Sequence, residues 1–580
     1  MSPATRRRLL VIAVPIGLLL IAAILRLPDL ATRGTWDADQ GHDMLTLRAL
    51  VLDGVIPLLG PPTSIGDVHH GALYYYLLAP AALLTRGDSP LAVTALIALA
   101  GIAAVLVTWW LARDVGGPVA GLVAGLAMAV SASAVDESTF IWNPNLIALS
   151  SAIALAGAWR AWTTGRPRWW LLAGVGTAVT MQCHVLGVTL LPIIGALLVA
   201  AARSRPSAVE RRSTWLFGLA GLGIVALSFL PLVAHELTND FSEIAAALDY
   251  LRGGGDPASI GPIGRFFIVG IRIVSWPLSG LLTDASVAAV IGTVVVIVIA
   301  VWCGAFGTSR ERHAARWLGF GLLWTAGFLT FASPSLATII PGLPNDHYHA
   351  FADPMVFTLV GMGAGVLWRG GRMGVVSAAG GAAGSGDSAG GGGLAAGGGG
   401  LAAGSGGPAG SGDSAGGGGL VGSGGPASPG AAAPRAIAVG RVIAIVGVVA
   451  LLAFNLVNQP PAIHPDGGFP AADRAAAAII DAGGRELTVR SLPDFKSTEA
   501  YGYPLVRAGA VVHVDRGSGP VGASTGSLVI ICDSLFETAI GAACGGPAES
   551  VVAPPDRFGT PIARFVAAPG RTISIYGPSR

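Results

Sequence analysis

Charge is what this chain has least of. Of its 580 residues only 12% are charged, 52% are hydrophobic, and mean hydropathy is +0.66. Soluble domains are not built this way, and the composition places the chain among polytopic membrane proteins. The formal net charge is +2, so nothing points to nucleic acid as a partner. Cysteine is scarce as well, with four residues of two kinds. Cys183 and Cys303 sit in apolar runs and read as small buried hydrophobes. Cys532 and Cys544 lie in a polar tail and can close a short disulfide loop if that tail is outside the cell. With no histidine or second cysteine pair beside them, they do not read as a metal site.

What the chain does have is long apolar runs, with its few charges at their ends. The run from Leu9 to Leu27 follows Arg6, Arg7 and Arg8, lacks a small-residue cleavage site, and reads as an anchor helix. Its basic flank puts the N-terminus in the cytoplasm and the following loop outside. Later runs end repeatedly at arginines: Arg113; Arg160, Arg166 and Arg168; Arg203 to Arg212; Arg310 to Arg316; Arg369 and Arg372. The apolar stretch from Trp169 to Ala201 is broken near His184 and reads as a hairpin with that residue at its outer tip. Tyr74 to Leu84 and Arg265 to Leu282 read as interfacial helices, with tyrosines at headgroup level in the first and Arg265 and Arg272 holding headgroups or snorkelling in the second.

The expectation is a polytopic α-helical membrane protein of about 11 transmembrane helices with a small C-terminal extracytoplasmic α/β domain. Residues 1–372 form the transmembrane core and 435–457 the last transmembrane helix. Between them, 373–434 is almost entirely Gly, Ala, Ser and Pro, and reads as a disordered cytoplasmic linker. Residues 458–580 carry short β-rich runs at 486–490, 510–514, 527–532 and 572–576, with a helical pattern over 471–480. That tail has no glycine-rich phosphate loop and no nucleophile motif.

Chemistry concentrates in the first outer loop, Trp36-Asp37-Ala38-Asp39-Gln40-Gly41-His42-Asp43, with Arg48 after it and Asp67-Val68-His69-His70 before Tyr74. A carboxylate at a lipid headgroup surface can take a proton from an incoming hydroxyl while cationic groups hold a phosphate leaving group. A second outer loop offers Asp136, Glu137 and Asn145, and a third offers Asp346, His347, Tyr348 and His349. For His184 a satisfied core imidazole is the competing reading, and for residues 346–349 it is interfacial anchoring.

Asp39-Gln40, Arg48, Gly54 and His70-Gly71 before an aromatic helix resemble the first-loop pattern of GT-C superfamily membrane glycosyltransferases. The resemblance is strongest to the protein-mannosyltransferase-like and aminoarabinose-transferase-like branch, which uses polyprenyl-phosphate sugars. It implies Asp39 as general base or substrate orienter, and His70, His42, Arg48, His184, His347, Tyr348 and His349 as groups binding the donor phosphate or substrate. Asp37, Asp43, Asp136, Glu137 and Asn145 are supporting residues. The chain departs from the pattern at Gln40, where relatives often carry Glu, and at His42, where they often carry Arg.

The implied activity is inverting transfer of a hexosyl or pentosyl group from a polyprenyl-phosphate donor to a cell-envelope glycan, lipid or protein. It would take place on the outer face of the plasma membrane, with the lipid bilayer as a further partner. No nucleotide cofactor is demanded. The loop has no spacing typical of a dedicated metal site, and a divalent cation is left open as a cofactor. The rival reading, a transporter or flippase of lipid-linked sugars, calls for internal repeats and mid-membrane ionisable groups, and no repeat occurs outside the linker.

Overall fold

The structure, a computed structural model, describes residues 3–63, 68–252, 260–338, 346–370, 434–494, 497–517, 519–522, 524, 526–534 and 542–579. All but the last residue of the expected 373–434 linker, and also Asp67 and Asn345, lie outside this set.

The apolar runs fold as helices: α1 (Pro3–Arg26), α2 (Ala38–Leu52), α3 (Leu73–Thr85), α4 (Pro90–Gly116), α5 (Pro118–Val130), α6 (Ala132–Asp136), α7 (Ile147–Thr164), α8 (Trp169–Cys183), α9 (Leu190–Ser204) and α10 (Ala208–Ser228). They are followed by α11 (Leu230–Thr238), α12 (Ser242–Arg252), α13 (Pro262–Ser279), α14 (Ser286–Phe306), α15 (Ser309–Ala332), α16 (Asp353–Trp368) and α17 (Pro434–Val457). Between α2 and α3, strands β1 (Leu59–Pro62) and β2 (His69–Gly71) pair antiparallel.

Small residues let the bundle close. Gly174 of α8 sits so near α10 that a Cβ there would lie 2.4 Å from the Gly221 carbonyl oxygen, the kind of backbone approach on which packing inside a membrane relies.

Among the described residues six helices are long and apolar enough to cross a membrane, or seven if the bent pair α10 and α11 counts as one. The expectation of about 11 is therefore not reached by length and composition. With 13 and 15 residues, α5 and α8 rise only about 20 and 23 Å, short of the roughly 30 Å hydrocarbon core. α15 begins with Arg310, Glu311, Arg312 and Arg316, which dilute its apolar run.

Two interfacial assignments also change. Tyr74 and Tyr75 face the protein interior, not headgroups, and both hydroxyls donate to the Asp43 carboxylate, at 2.7 and 2.9 Å. Arg272 of α13 neither snorkels nor faces headgroups. It is buried against Asp346, with Nε to Oδ1 at 2.8 Å and Nη2 to Oδ2 at 2.5 Å.

The tail forms one five-stranded mixed sheet. Its strands are β3 (Glu486–Leu492), β4 (Val511–Val514), β5 (Ser527–Asp533), β6 (Ala563–Ala568) and β7 (Arg571–Tyr576), in the order β4-β3-β5-β7-β6. β3 runs parallel to β4 and β5, while β7 is antiparallel to β5 and β6. Every residue of β5 is buried, which explains its continuous apolar run. Helices α18 (Gly468–Gly483) and α19 (Thr498–Arg507) pack on the sheet, and Cys532 and Cys544 form a disulfide.

Candidate active site

The first loop is held by the tail. Asp37 caps α2: its carboxylate accepts from Ala38 N at 2.8 Å, and Gln40 Oε1 accepts in turn from Asp37 N at 2.8 Å. Arg571 of β7 reaches across to Asp37 Oδ1 at 3.0 Å, Asp533 Oδ2 at 2.9 Å and the Trp36 carbonyl at 2.9 Å. Burial opposes the charge on Arg571, but the carboxylates of Asp37 and Asp533 outweigh it and raise the pKa above the usual guanidinium range. The Trp36 ring forms a three-ring cluster with Phe469 and Tyr503, with its Nε1 donating to Ala500 O at 2.7 Å. Gly41 meets the tail backbone so closely that a Cβ would fall 2.0 Å from Glu499 O.

This clamp accounts for several sequence candidates. His42 Nδ1 faces Glu499 Oε1 at 3.4 Å. Burial lowers its pKa, but the Glu499 hydrogen bond and charge, with Asp43 and Asp39, outweigh that and raise it. Arg48 pairs with Asp88 beside the tail's Tyr503, whose hydroxyl donates to Gly87 O at 2.9 Å. Among the described contacts, neither His42 nor Arg48 reaches the histidines expected at the donor phosphate. Asp39, in the first turn of α2, is exposed, and its charge acts on His42, Asp43 and Tyr75. Asp43 is buried between two tyrosyl hydroxyls. Burial, partly offset by His42 and those hydroxyls, pushes its carboxyl up to about 7.

The histidines do converge, with rings from four separate segments forming one chain. His70 lies 4.7 Å from His184, His184 stacks on Tyr348 at 4.5 Å, Tyr348 meets His347 at 4.2 Å, and His347 meets Trp142 at 3.9 Å. Local structure explains each placement. His70 ends β2. His184 stands where α8 stops, its Nδ1 accepting from Leu186 N at 3.2 Å. His347 and His349 lie on the 3-10 turn Asp346–Ala352, which Arg272 fixes through Asp346. Trp142 precedes the 3-10 turn Asn143–Leu146, which Asn143 ties to the hairpin by donating to Cys183 O at 2.5 Å.

Polar atoms here lack partners. His70 Nδ1, both ring nitrogens of His347 and Gln182 Nε2 are buried without a hydrogen bond, and His349 Nε2 faces Asp346 Oδ1 at 3.5 Å. Burial, with the neighbouring His69, lowers the His70 pKa to about 3, so its imidazole is neutral near pH 7 and has one N–H to donate.

The second loop borders the same region. Glu137 Oε2 and Asn145 Oδ1 are buried and unpartnered, while Asn145 Nδ2 donates to Phe140 O at 2.8 Å. Burial, with Asp136, Asp353 and Asp346 nearby, holds the Glu137 carboxyl well above its usual range, and burial raises Asp136 to about 6. One bond joins this loop to the Asp39 helix: Gln40 Nε2 donates to Ile141 O at 2.9 Å, one residue before Trp142.

Sequence reasoning missed Trp142, Asn143, Gln182 and the structural role of Arg272. The first three belong to no motif that marks them in the sequence, and the partner of Arg272 lies in a distant segment. The described residues hold one group of potential metal ligands within reach of each other, Cys532, Cys544 and Glu549. Both sulfurs are in the disulfide, so this is not a thiolate metal centre.

A family profile described as dolichyl-phosphate-mannose-protein mannosyltransferase matches residues 69–231. No curated protein sequence matches the chain. Among solved structures, ArnT from Cupriavidus metallidurans in the apo state is 12% identical with a TM-score of 0.51, covering 99% of this chain and 98% of its own. The same protein bound to undecaprenyl phosphate, also 12% identical, gives a TM-score of 0.53 over 99% and 98%. An oligosaccharyltransferase from Archaeoglobus fulgidus, 12% identical, covers 98% of this chain and 74% of its own at a TM-score of 0.45.

Proposed function

From the fold of the GT-C superfamily, which this chain has, we propose that the protein is a membrane glycosyltransferase. It moves a sugar from a polyprenyl-phosphate donor to a hydroxyl of an envelope glycan, lipid or protein at the outer face of the plasma membrane. The observation that carries this reading is the convergence of His70, His184, His347 and Tyr348, from segments far apart in sequence, with buried ring nitrogens left unpartnered. Buried polar groups are ordinarily satisfied, so such a cluster calls for a polar ligand. The likeness to a protein solved with undecaprenyl phosphate supports a lipid phosphate as that ligand.

In the transfer, the acceptor oxygen bonds to the anomeric carbon as the carbon–oxygen bond to phosphate breaks, inverting that centre. Asp39 takes the acceptor proton, and the polyprenyl phosphate leaves against the imidazole N–H groups of His70 and His347. The arginines at alternate helix ends support a cytoplasmic N-terminus, and the contacts of the tail with the first loop support a tail on the outer face.

The test uses membranes from a deletion strain that express the wild type, D39N or H347A, supplied with radiolabelled polyprenyl-phosphate sugar. Wild type should transfer label to an envelope acceptor, and D39N should fall by about 100-fold or more. Transfer by D39N at the wild-type rate sinks the base assignment. A wild type that moves the lipid-linked sugar between leaflets but releases no polyprenyl phosphate sinks the enzyme.

A further inference from the structure

At the other end of the bundle lies a second constellation that glycosyl transfer does not use. A cavity of about 400 Å³ is lined by Trp110, Arg113, Asp114, Pro118, Arg160 and Arg310, contributed by α4, α5, α7 and α15. α7 begins beside the histidine chain, and Arg160 lies 13 residues past its first residue, Ile147, which at 1.5 Å per residue is about 20 Å along the axis. The cavity therefore lies about 20 Å from the candidate active site along the α7 axis, toward the other end of the bundle.

Its charges are unbalanced. Three guanidinium groups line the cavity against one carboxylate, and that carboxylate is engaged, since Arg160 Nη1 donates to Asp114 Oδ2 at 2.5 Å. The nearest further acid in sequence, Glu311, pairs with Arg369 and caps α15 through Thr308. Arg113 and Arg310 have only ring contacts, lying over Trp109 at 5.1 Å and Trp159 at 6.0 Å. Among the described residues neither has a carboxylate partner. Arg160 is held flat by Trp110 and Trp169, at 4.9 and 5.3 Å from their centroids, aromatics of the kind that settle at a membrane–water boundary.

We propose that this cavity binds the phosphodiester headgroup of an anionic phospholipid, seated on Arg113 and Arg310. Guanidinium forks suit phosphate oxygens, basic pockets between membrane helices take anionic headgroups, and the volume falls within that of ordinary ligand pockets. A lipid is favoured over a soluble anion because the cavity lies at an end of the membrane-embedded bundle with Trp110 in its lining and Trp169 beside Arg160, aromatics that mark the boundary where headgroups sit. The bound headgroup ties the ends of α4, α7 and α15 together. None of this depends on the reading of the histidine chain.

The experiment takes the full-length protein in phosphatidylcholine nanodiscs containing phosphatidylglycerol and reads retained lipid by native mass spectrometry. The wild type should retain phosphatidylglycerol in preference to phosphatidylcholine. R113Q/R310Q should retain about tenfold less, the loss of two partly exposed charged contacts at about threefold each, while the thermal midpoint shows that it still folds. If the double variant does not fold, R310Q alone changes an exposed side chain in the first turn of α15 and should still lower retention about threefold. Equal retention by a folded variant and the wild type overturns the site. Displacement of phosphatidylglycerol by millimolar inorganic phosphate overturns the lipid as occupant in favour of a soluble anion.

Discussion

The joint between the first loop and the tail, and the ring chain between the loops, are both polar and both buried, yet they are finished differently. At the joint Arg571 contacts Asp37, Asp533 and the Trp36 carbonyl. Asp466 accepts from Thr35 Oγ1, Trp36 N and Gly468 N, each at 2.8 Å. In the ring chain, His347 has no hydrogen bond from either nitrogen. A saturated buried network holds a structure in place. An unsaturated one of similar burial costs stability unless something else completes it, and the contrast therefore separates scaffold from binding surface.

The sharpest break should come at the joint. R571M leaves Asp37 and Asp533 without their cation and should destabilise the protein by about 3–5 kcal/mol, read as early proteolysis of the tail and a lower thermal midpoint. In the ring chain the outcome should invert. H347A and H70A should reduce sugar transfer by about 10- to 100-fold while the thermal midpoint stays within about 1 °C or rises, since an unpaired buried group is removed. A large loss of stability in H347A would erase the distinction.

Asp43 sharpens the comparison by pH. Its folded pKa, raised to about 7, means that the folded state binds the proton more tightly than the unfolded chain does. Stability from this group is then full below about pH 4 and declines as pH rises to about 7, by at most about 4 kcal/mol. D43N should flatten that slope in thermal midpoints measured from pH 4 to 8.

The smallest effect belongs to His42, whose side chain is 33% exposed in its pair with Glu499. Its raised pKa makes the pair's contribution full below about pH 6.5 and lost as pH climbs through the folded value. H42A should therefore cost under about 1 kcal/mol at pH 6 and nothing at alkaline pH.

Legibility in the sequence followed the range of the interactions. The break at His184 could be read because an apolar run too long for one crossing must turn somewhere, and the strands of the tail coincide with β-branched runs. β6 escapes a sequence reading because half of Ala563–Ala568 is alanine and only Val566 is β-branched. α19, which contains Gly502 and Pro504, hid behind its own helix breakers. Arg272 and Tyr74 were misassigned for one shared reason. A polar tip on a largely apolar helix, guanidinium or phenol, looks the same whether it meets headgroups or a buried carboxylate, and the partners Asp346 and Asp43 lie 74 and 31 residues away. The site was legible as a set of residue types; their division between clamp and ring chain was not.

The side chain of Gln40 offers an oxygen to one main-chain amide and a nitrogen to one main-chain carbonyl, Asp37 N and Ile141 O. A glutamate there could serve the first but would set anion against carbonyl at the second. The amide that replaces an acid at this position is thus the hinge pin between two loops. A carboxylate at position 40 would unfasten them, and Asp39 is the acid of the first helical turn to which the proposed reaction assigns the acceptor's proton.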